Sequence, residues 1–268
     1  MPRVTGPIDL LRIQIVSVPG AQRTTVTGIN NAGQIVGHYN DSTGRTRGFL
    51  YEDGCYSQPI DYPGAEATFV LGVNDHSQLV GRADPGVGGF LYSDGVFSPP
   101  LNVPKSDLTT PSDINNDGLI VGTYQDSGKN FGFLNVAGEF FGLPGPAGKE
   151  SFASAINDSG QIAGGFADSS GTFGTVYLTN SGNSSGLSYP AVKVTYPHGI
   201  NNRGQIVGIF TDQSGTDHAF IYFSASVHEI TLPGATACSA LDINDRGQII
   251  GQFNDPGGLH AYVGVVVV

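Results

Sequence analysis

Apolar residues in this chain come in short runs, separated at a regular pitch by polar, glycine-rich stretches. The clearest run is Gly199-Ile200-Asn201-Asn202-Arg203-Gly204-Gln205-Ile206-Val207-Gly208. It recurs from Gly28 (GINNAGQIVG), Gly72 (GVNDHSQLVG), Asp113 (DINNDGLIVG), Ala155 (AINDSGQIAG) and Asp242 (DINDRGQIIG). The shared asparagines Asn30, Asn74, Asn115, Asn157, Asn201 and Asn244 stand 44, 41, 42, 44 and 43 residues apart. A pitch in this range marks a repeat architecture. Each copy predicts four short strands. In the fifth, a strand from Val194 to Ile200 enters a turn at Asn201-Asn202-Arg203-Gly204, where Asn and Gly tolerate the left-handed backbone of a tight reversal. A second strand covers Gln205 to Phe210, and a polar turn from Thr211 to Gly215 leads to a third at His218 to Tyr222. The fourth, Val227 to Leu232, stops at Pro233-Gly234-Ala235, because proline has no N–H to continue a ladder.

Four strands per unit of this length is the blade of a β-propeller. The chain ends support that reading. Pro-Gly-Ala closes a fourth strand at Pro63 and Pro233, and it also stands at Pro19, before the first complete copy. The last copy stops after its third strand, His260 to Val263, and the apolar tail Gly264 to Val268. Ile13 to Val18 is therefore expected to supply the missing fourth strand, which removes the free edges. The expected fold is all-β: a single six-bladed β-propeller over 1–268, built from four-stranded antiparallel blades. Residues 1–21 carry the closing strand, and the repeat cores lie near 28–37, 72–81, 113–122, 155–164, 199–208 and 242–251. Two β-trefoils would not need the chain's start to finish the last repeat, and a parallel β-helix would not use two tight reversals per unit.

The copies resemble the HAF-repeat proteins, described as probable extracellular repeats. The name-giving tripeptide is His218-Ala219-Phe220, with variants at His260-Ala261-Tyr262, Arg47-Gly48-Phe49, Gly89-Phe90 and Gly132-Phe133, each downstream of the IN-[ND]-x-G-x-I-V-G signature. The resemblance spans nearly the whole chain. It implies the repeat scaffold and an extracellular or periplasmic location, and no established activity. Met1 to Leu11 shows no signal peptide, so a native start at Met1 would imply the cytoplasm instead.

Composition narrows the partners. The net charge is −11 with only 12 Lys and Arg, which disfavours nucleic acid and anionic membrane surfaces. No run of 18 apolar residues is present to span a bilayer. Cys55 on an outer strand and Cys238 in a loop leading into the sixth blade are expected to be free, mostly buried thiols. With no tryptophan, any stacking face must come from Phe or Tyr.

In a repeat protein, residues common to all copies hold the scaffold, and those that break the pattern are the better functional candidates. The recurring asparagines, and the Asn or Asp after each, read as turn residues bonding their own backbone. Asp41, Asp126, Asp168, Asp212 and Asp255 recur in the second turn, where the spacing falls short of a calcium loop. His218 and His260, on third strands, read as structural. First strands line the channel of a propeller. Their lead position reads Thr24, Thr68, Thr109, Ser151, Thr195, Cys238: either hydroxyl donors for a ligand or small residues fitting a crowded axis. Four places on, where other copies have Gly or Ala, stand Asp113 and Asp242 in opposed blades. They are candidates to hold a divalent metal or divide acid and base roles, or else they bond backbone. His198 breaks the pattern of the first strand, on the opposite face by parity. His38 and Arg82 follow the second strand's glycine in adjacent blades and could grip an anionic group. Phe69, Phe152 and Tyr196 could wall the same mouth.

No nucleophile elbow, P-loop, dinucleotide fingerprint or HExxH is present. Three readings follow. The first is a binding module with a small-molecule or glycan site at the channel mouth (His38, Arg82, Phe69, Phe152, Tyr196, His198), needing no cofactor. The second is a hydrolase or lyase, lactonase- or esterase-like by architecture alone, with a divalent metal at Asp113 and Asp242. The third is a protein-interaction scaffold. The oligomeric state is not legible in the residues.

Overall fold

A computed structural model describes residues 3–143, 145, 148–168, 171–178, 184–187 and 194–266. Two N-terminal strands come first, β1 (Arg3–Asp9) and β2 (Leu11–Val16). Blade 1 is β3 (Arg23–Ile29), β4 (Ile35–Asn40), β5 (Thr46–Glu52) and β6 (Cys55–Tyr56). Blade 2 is β7 (Ala67–Val73), β8 (Leu79–Asp84), β9 (Gly88–Ser93) and β10 (Val96–Phe97). Blade 3 is β11 (Leu108–Ile114), β12 (Ile120–Asp126), β13 (Lys129–Val136) and β14 (Glu139–Leu143). Blade 4 is β15 (Ser151–Ile156), β16 (Gln161–Asp168), β17 (Gly171–Leu178) and β18 (Ser184–Leu187). Blade 5 is β19 (Val194–Ile200), β20 (Ile206–Thr211), β21 (Asp217–Phe223) and β22 (Ser226–Thr231). Blade 6 is β23 (Ala237–Ile243), β24 (Gln248–Asp255), β25 (Gly258–Val265) and, from the other end of the chain, β2.

The fold is the expected six-bladed propeller, with every blade an antiparallel meander and its first strand packed against the first strands of both neighbours. Ring closure is also as expected: β2 pairs antiparallel with β25, Ile15 opposite Tyr262 and Val16 opposite Ala261. The segment before it holds a strand that the repeat pattern does not contain. β1 adds to the outside of blade 5, parallel to β22, and the Leu10 N–H bonds the Thr231 carbonyl at 3.1 Å. Residues 3–18 thus strap two adjacent blades.

The paired apolar residues of each core motif explain how six thin sheets make one body. Alternate residues of a strand face opposite ways, so each pair divides between two interfaces. Ile35 packs with Val16, Val26 and Phe49 between blades 6 and 1, while Val36 packs with Ile60, Val70 and Phe90 between blades 1 and 2. Leu79/Val80, Ile120/Val121, Ile162/Ala163, Ile206/Val207 and Ile249/Ile250 repeat the division around the ring. The following glycine is required by a β-bulge in each first strand. A Cβ on Gly37 would run into the Thr25 carbonyl, and one on Gly208 into that of Tyr196.

The lead hydroxyls do not line the channel. Thr68, Thr109, Ser151 and Thr195 are buried. Thr24, Thr68 and Thr109 accept the N–H of Val18, Tyr62 and Val103 at 2.9–3.0 Å, and Ser151 Oγ donates to the Leu143 carbonyl at 2.7 Å. They fasten the preceding chain. Nor do they share a face with Asp113 and Asp242, because each bulge lies between the two positions and breaks the alternation that parity assumes. The cysteines differ from expectation as well. Both are free, but Cys55 is exposed because nothing covers the two-residue β6, and half-buried Cys238 lies inside β23 rather than in a loop. His218 and His260 are structural, as expected. Each reaches back to its own second turn, His218 Nε2 to Asp212 at 3.3 Å and His260 Nε2 to Asp255 at 3.0 Å, the role Arg47 plays with Asp41.

Candidate functional site

The two ends of the central axis are chemically different. At the end where first strands turn into second strands, the six recurring asparagines form a closed ring. Asn30 Nδ2 donates to the Asn74 carbonyl at 2.9 Å, and the same bond runs from Asn74 to Asn115, Asn115 to Asn157, Asn157 to Asn201, Asn201 to Asn244 and Asn244 back to Asn30. Each Oδ1 also holds its own turn, so the expected turn role is half of what these residues do.

The next residue in each copy alternates: Asn31, Asp75, Asn116, Asp158, Asn202, Asp245. Their side chains bond the neighbouring blade rather than their own turns. Each Oδ1 accepts the backbone N–H of the blade before it, at 2.7–2.9 Å. Each Asn Nδ2 then bridges the two flanking carboxylates, as Asn202 does to Asp158 at 2.8 Å and Asp245 at 3.0 Å. The alternation is what lets every proton find an acceptor: six asparagines would set donor against donor, and six aspartates charge against charge. Burial pulls Asp75 upward, but the bonds from Asn116 and Asn31 outweigh it and hold the carboxyl below its ordinary value.

Asp113 and Asp242 sit beneath this collar, and a cavity of about 60 Å³ lies among them. Their neighbours in the ring must be small. A Cβ on Gly72 would stand 2.7 Å from Asp113 Cα, and one on Gly199 would stand 2.6 Å from Asp242 Cα. Each aspartate staples its blade to the next. Asp113 accepts the N–H of Ile114 (2.8 Å) and of Ile156 (2.9 Å), and Asp242 those of Ile243 (2.8 Å) and Ile29 (2.8 Å). Burial drives both carboxyls up, Asp242 to about 7 and Asp113 well above its ordinary value, where the Asp242 charge lifts it further. As ligands for a divalent metal the pair fits poorly. Each oxygen spends one of its two lone pairs on an N–H bond, and no group of three His, Cys, Asp or Glu among the described residues is placed to hold an ion with them. His198 is not grouped with them: its ring stacks on Tyr196 at 6.4 Å, and burial lowers its imidazole to about 4.

These raised values fix a sign. A carboxyl raised on folding contributes stability fully present below its unfolded value and lost as pH rises through the folded one. Asp242→Asn removes that titration at the cost of one acceptor. Relative to the parent, the variant is expected to be at its worst near pH 4 and to recover by several degrees of melting temperature (about 3–6 °C) by pH 8. A difference that stays constant across that range overturns the assignment.

The opposite end carries the remaining candidates. On the first strands, the positions alternate to the lead residues keep solvent-exposed surface: Thr25, Phe69, Thr110, Phe152 and Ser239 are partly exposed and Tyr196 is exposed. Two groups form there. His38 stands edge-on to Phe69 with centroids 5.0 Å apart, and the Arg82 guanidinium lies 4.7 Å over the same ring while pairing with Asp84 at 3.3 Å. Burial lowers His38 to about 4 against a bond to the Val70 backbone. Its Nδ1 is buried without a partner, as is Nε2 of Gln252 at the equivalent place in blade 6. The second group is Phe152 against Tyr196, centroids 5.7 Å apart, with His198 stacked beyond Tyr196 at 6.4 Å. No ring contact or hydrogen bond joins the two groups among the described residues.

The second group opens on a cavity of about 270 Å³, lined by Phe152 and Tyr196 with Thr123, Asn130, Glu150, Ser151, Ala167 and Thr172. The Tyr196 ring is 36% exposed, and its hydroxyl receives a bond from Thr172 at 3.3 Å. Sequence reasoning missed Glu150, Asn130 and Thr172, which lie outside the aligned repeat cores. Thr123 was visible as the counterpart of His38 and Arg82 in the third copy, but as a small hydroxyl it did not stand out.

No family model matches the sequence, and no curated protein matches it either. Solved structures do. The chain is similar to virginiamycin B lyase from Staphylococcus aureus, with a TM-score of 0.56 and 12% identity over 95% of this chain and 99% of that one. It is also similar to a gluconolactonase from Xanthomonas campestris (TM-score 0.59, 12% identity, 99% of each chain). A third is the Aleuria aurantia lectin solved with a fucose-containing disaccharide (TM-score 0.52, 13% identity, 91% of this chain and 95% of that one). At these identities the likeness is one of fold.

Proposed function

We propose that this protein is a ligand-binding propeller whose small-molecule or glycan site lies at the channel mouth, in the cavity where blades 3, 4 and 5 meet. The observation that carries this reading is the exposed Tyr196 ring set against Phe152 over a cavity with a polar rim. Apolar walls with a few placed polar groups are the usual make-up of a small-ligand site. His198 backs Tyr196, and a ligand longer than the cavity would run across the lumen toward Phe69, His38 and Arg82. The propellers of similar fold include a lectin, a lactonase and a lyase, which is consistent with a mouth that takes small molecules. The hydrolase or lyase reading would have to hold its metal on Asp113 and Asp242 with no third His, Cys, Asp or Glu grouped beside them among the described residues, so the binding reading is preferred.

A metabolite and glycan screen by ligand-observed NMR tests this directly. Tyr196→Ala is expected to weaken any ligand found by at least about tenfold. Unchanged affinity in that variant removes the site, and a screen without hits leaves the scaffold reading in front.

A further inference from the structure

The polar groups of this cavity have a definite bonding capacity, which limits what they can recognise. Ser151 has no donor to spare: its hydroxyl donates to Leu143 and accepts from Gly132, which leaves one acceptor site. Glu150 is held in place, its Oε1 accepting the Asn130 N–H at 2.8 Å and its carbonyl the Ala167 N–H at 3.0 Å. That ties the carboxylate to blades 3 and 4 at once, while its second oxygen has no protein partner among the described residues. The Asn130 side-chain amide and the Thr123 hydroxyl likewise bond nothing. The inventory is thus one acceptor-only carboxylate, one amide and the Thr123 hydroxyl, beside the Tyr196 hydroxyl that receives a single bond and the Ser151 and Thr172 hydroxyls, whose donors are spent and which can still accept. No cation lines the cavity among the described residues. Lys149, the neighbour of Glu150 in sequence, places its ammonium 5.6 Å over the Phe166 ring instead.

Building on the site assigned above, we propose that its ligand is a neutral saccharide and that Glu150 excludes acidic sugars. A carboxylate with a spare oxygen needs a donor. An anionic ligand supplies none there and meets a like charge in a partly desolvated space. A cationic ligand would satisfy Glu150 but leave the Asn130, Thr123 and Tyr196 donors without acceptors. Sugar hydroxyls both donate and accept, so they match every group, and the C–H face of the ring covers Phe152 and Tyr196.

The test is titration calorimetry of the intact protein with methyl glycosides of glucose, galactose, mannose and fucose, and with glucuronic and galacturonic acids. The expected result is binding of at least one neutral glycoside, with the acids at least about tenfold weaker. Glu150→Gln keeps an oxygen for the Asn130 N–H, and it is expected to bring acids and neutral sugars within about threefold of each other. Acids that bind the parent as tightly as neutral sugars overturn the proposal while leaving the site standing. So does discrimination that survives in Glu150→Gln. If no sugar binds but another small molecule does, and Tyr196→Ala abolishes that binding, the saccharide assignment fails and the ligand site remains. No binding by any compound removes both.

Discussion

A chain lacking residues 1–21 is expected to lose its cooperative thermal transition altogether. The deletion takes away β2 and, with it, the fourth strand of blade 6. It also removes Leu10, Val16 and Val18, which are 3%, 1% and 8% exposed. Burying such side chains contributes about 1.5–3 kcal/mol each, so the three together are on the order of the 5–15 kcal/mol by which a domain is stable. The loss is not confined to one blade. Leu10 belongs to the core between blades 5 and 6, whereas Val16 and Val18 belong to the core between blades 6 and 1. Without β2, the β25 edge is left unpaired beside a gap in two of the six interfaces. A truncation to residue 9 separates this effect from that of the strap on blade 5. β1 contributes half-buried Ile8 to the core, a parallel ladder along β22, a contact of His228 Nδ1 with the Gly6 carbonyl and a bond from Thr231 Oγ1 to Asp9 Oδ1, all on the outer edge of blade 5, so that shorter deletion should cost a few degrees at most. Circular dichroism melts of both truncated proteins decide the matter. A 1–21 deletion that melts cooperatively within about 5 °C of the parent would mean that ring closure is not what holds this propeller.

The propeller and its closure were legible because they rest on local chemistry repeated six times. Turn residues, paired apolar residues and a terminal proline read the same way in every copy, and the copies correct one another. Features that occur once, or between copies, were not. β1 has no counterpart in the repeat, so nothing in the pattern marked it. The bulge in each first strand adds a residue between Thr195 and Gly199 that leaves no signature in a single strand, and it defeated the placing of Asp113 and Asp242 on one face with the lead hydroxyls. The lead hydroxyls were misplaced for a related reason: a period of two says that alternate residues share a face, but not which face meets the channel. Phe152 and Tyr196 were named from the sequence as candidate walls of the mouth, and the structure sets their rings against each other. Glu150 was not named, since it sits in a connection where the copies differ from one another anyway. The Asn/Asp alternation was in plain view, but its meaning depends on which blade each side chain reaches.

That dependence makes the asparagine ring the most demanding position in the chain. Asn201 is 4% exposed and makes four bonds. Its Oδ1 accepts the N–H of Arg203 (3.1 Å) and Gln205 (3.0 Å), and its Nδ2 donates to Gln205 Oε1 (2.7 Å) and the Asn244 carbonyl (3.1 Å). Asn201→Ala leaves those partners buried and unsatisfied, with an expected loss of about 3–5 kcal/mol at roughly 1 kcal/mol per bond. Asn201→Asp is the sharper test, because it preserves shape and both Oδ1 bonds. It replaces only the donor, so that an oxygen faces Gln205 Oε1 and the Asn244 carbonyl. Turn formation alone would tolerate aspartate as well as asparagine, whereas a closed ring of donors would not. Blade 3 provides the internal control, since Leu119 stands where the other copies have glutamine. Asn115 Nδ2 therefore has only the Asn157 carbonyl at 3.1 Å to satisfy, and Asn115→Ala should cost about 1 kcal/mol less than Asn201→Ala. Urea denaturation of the three variants measures all of this. If Asn201→Asp is as stable as the parent, the bonds between blades carry no weight and the asparagines recur for their turns alone.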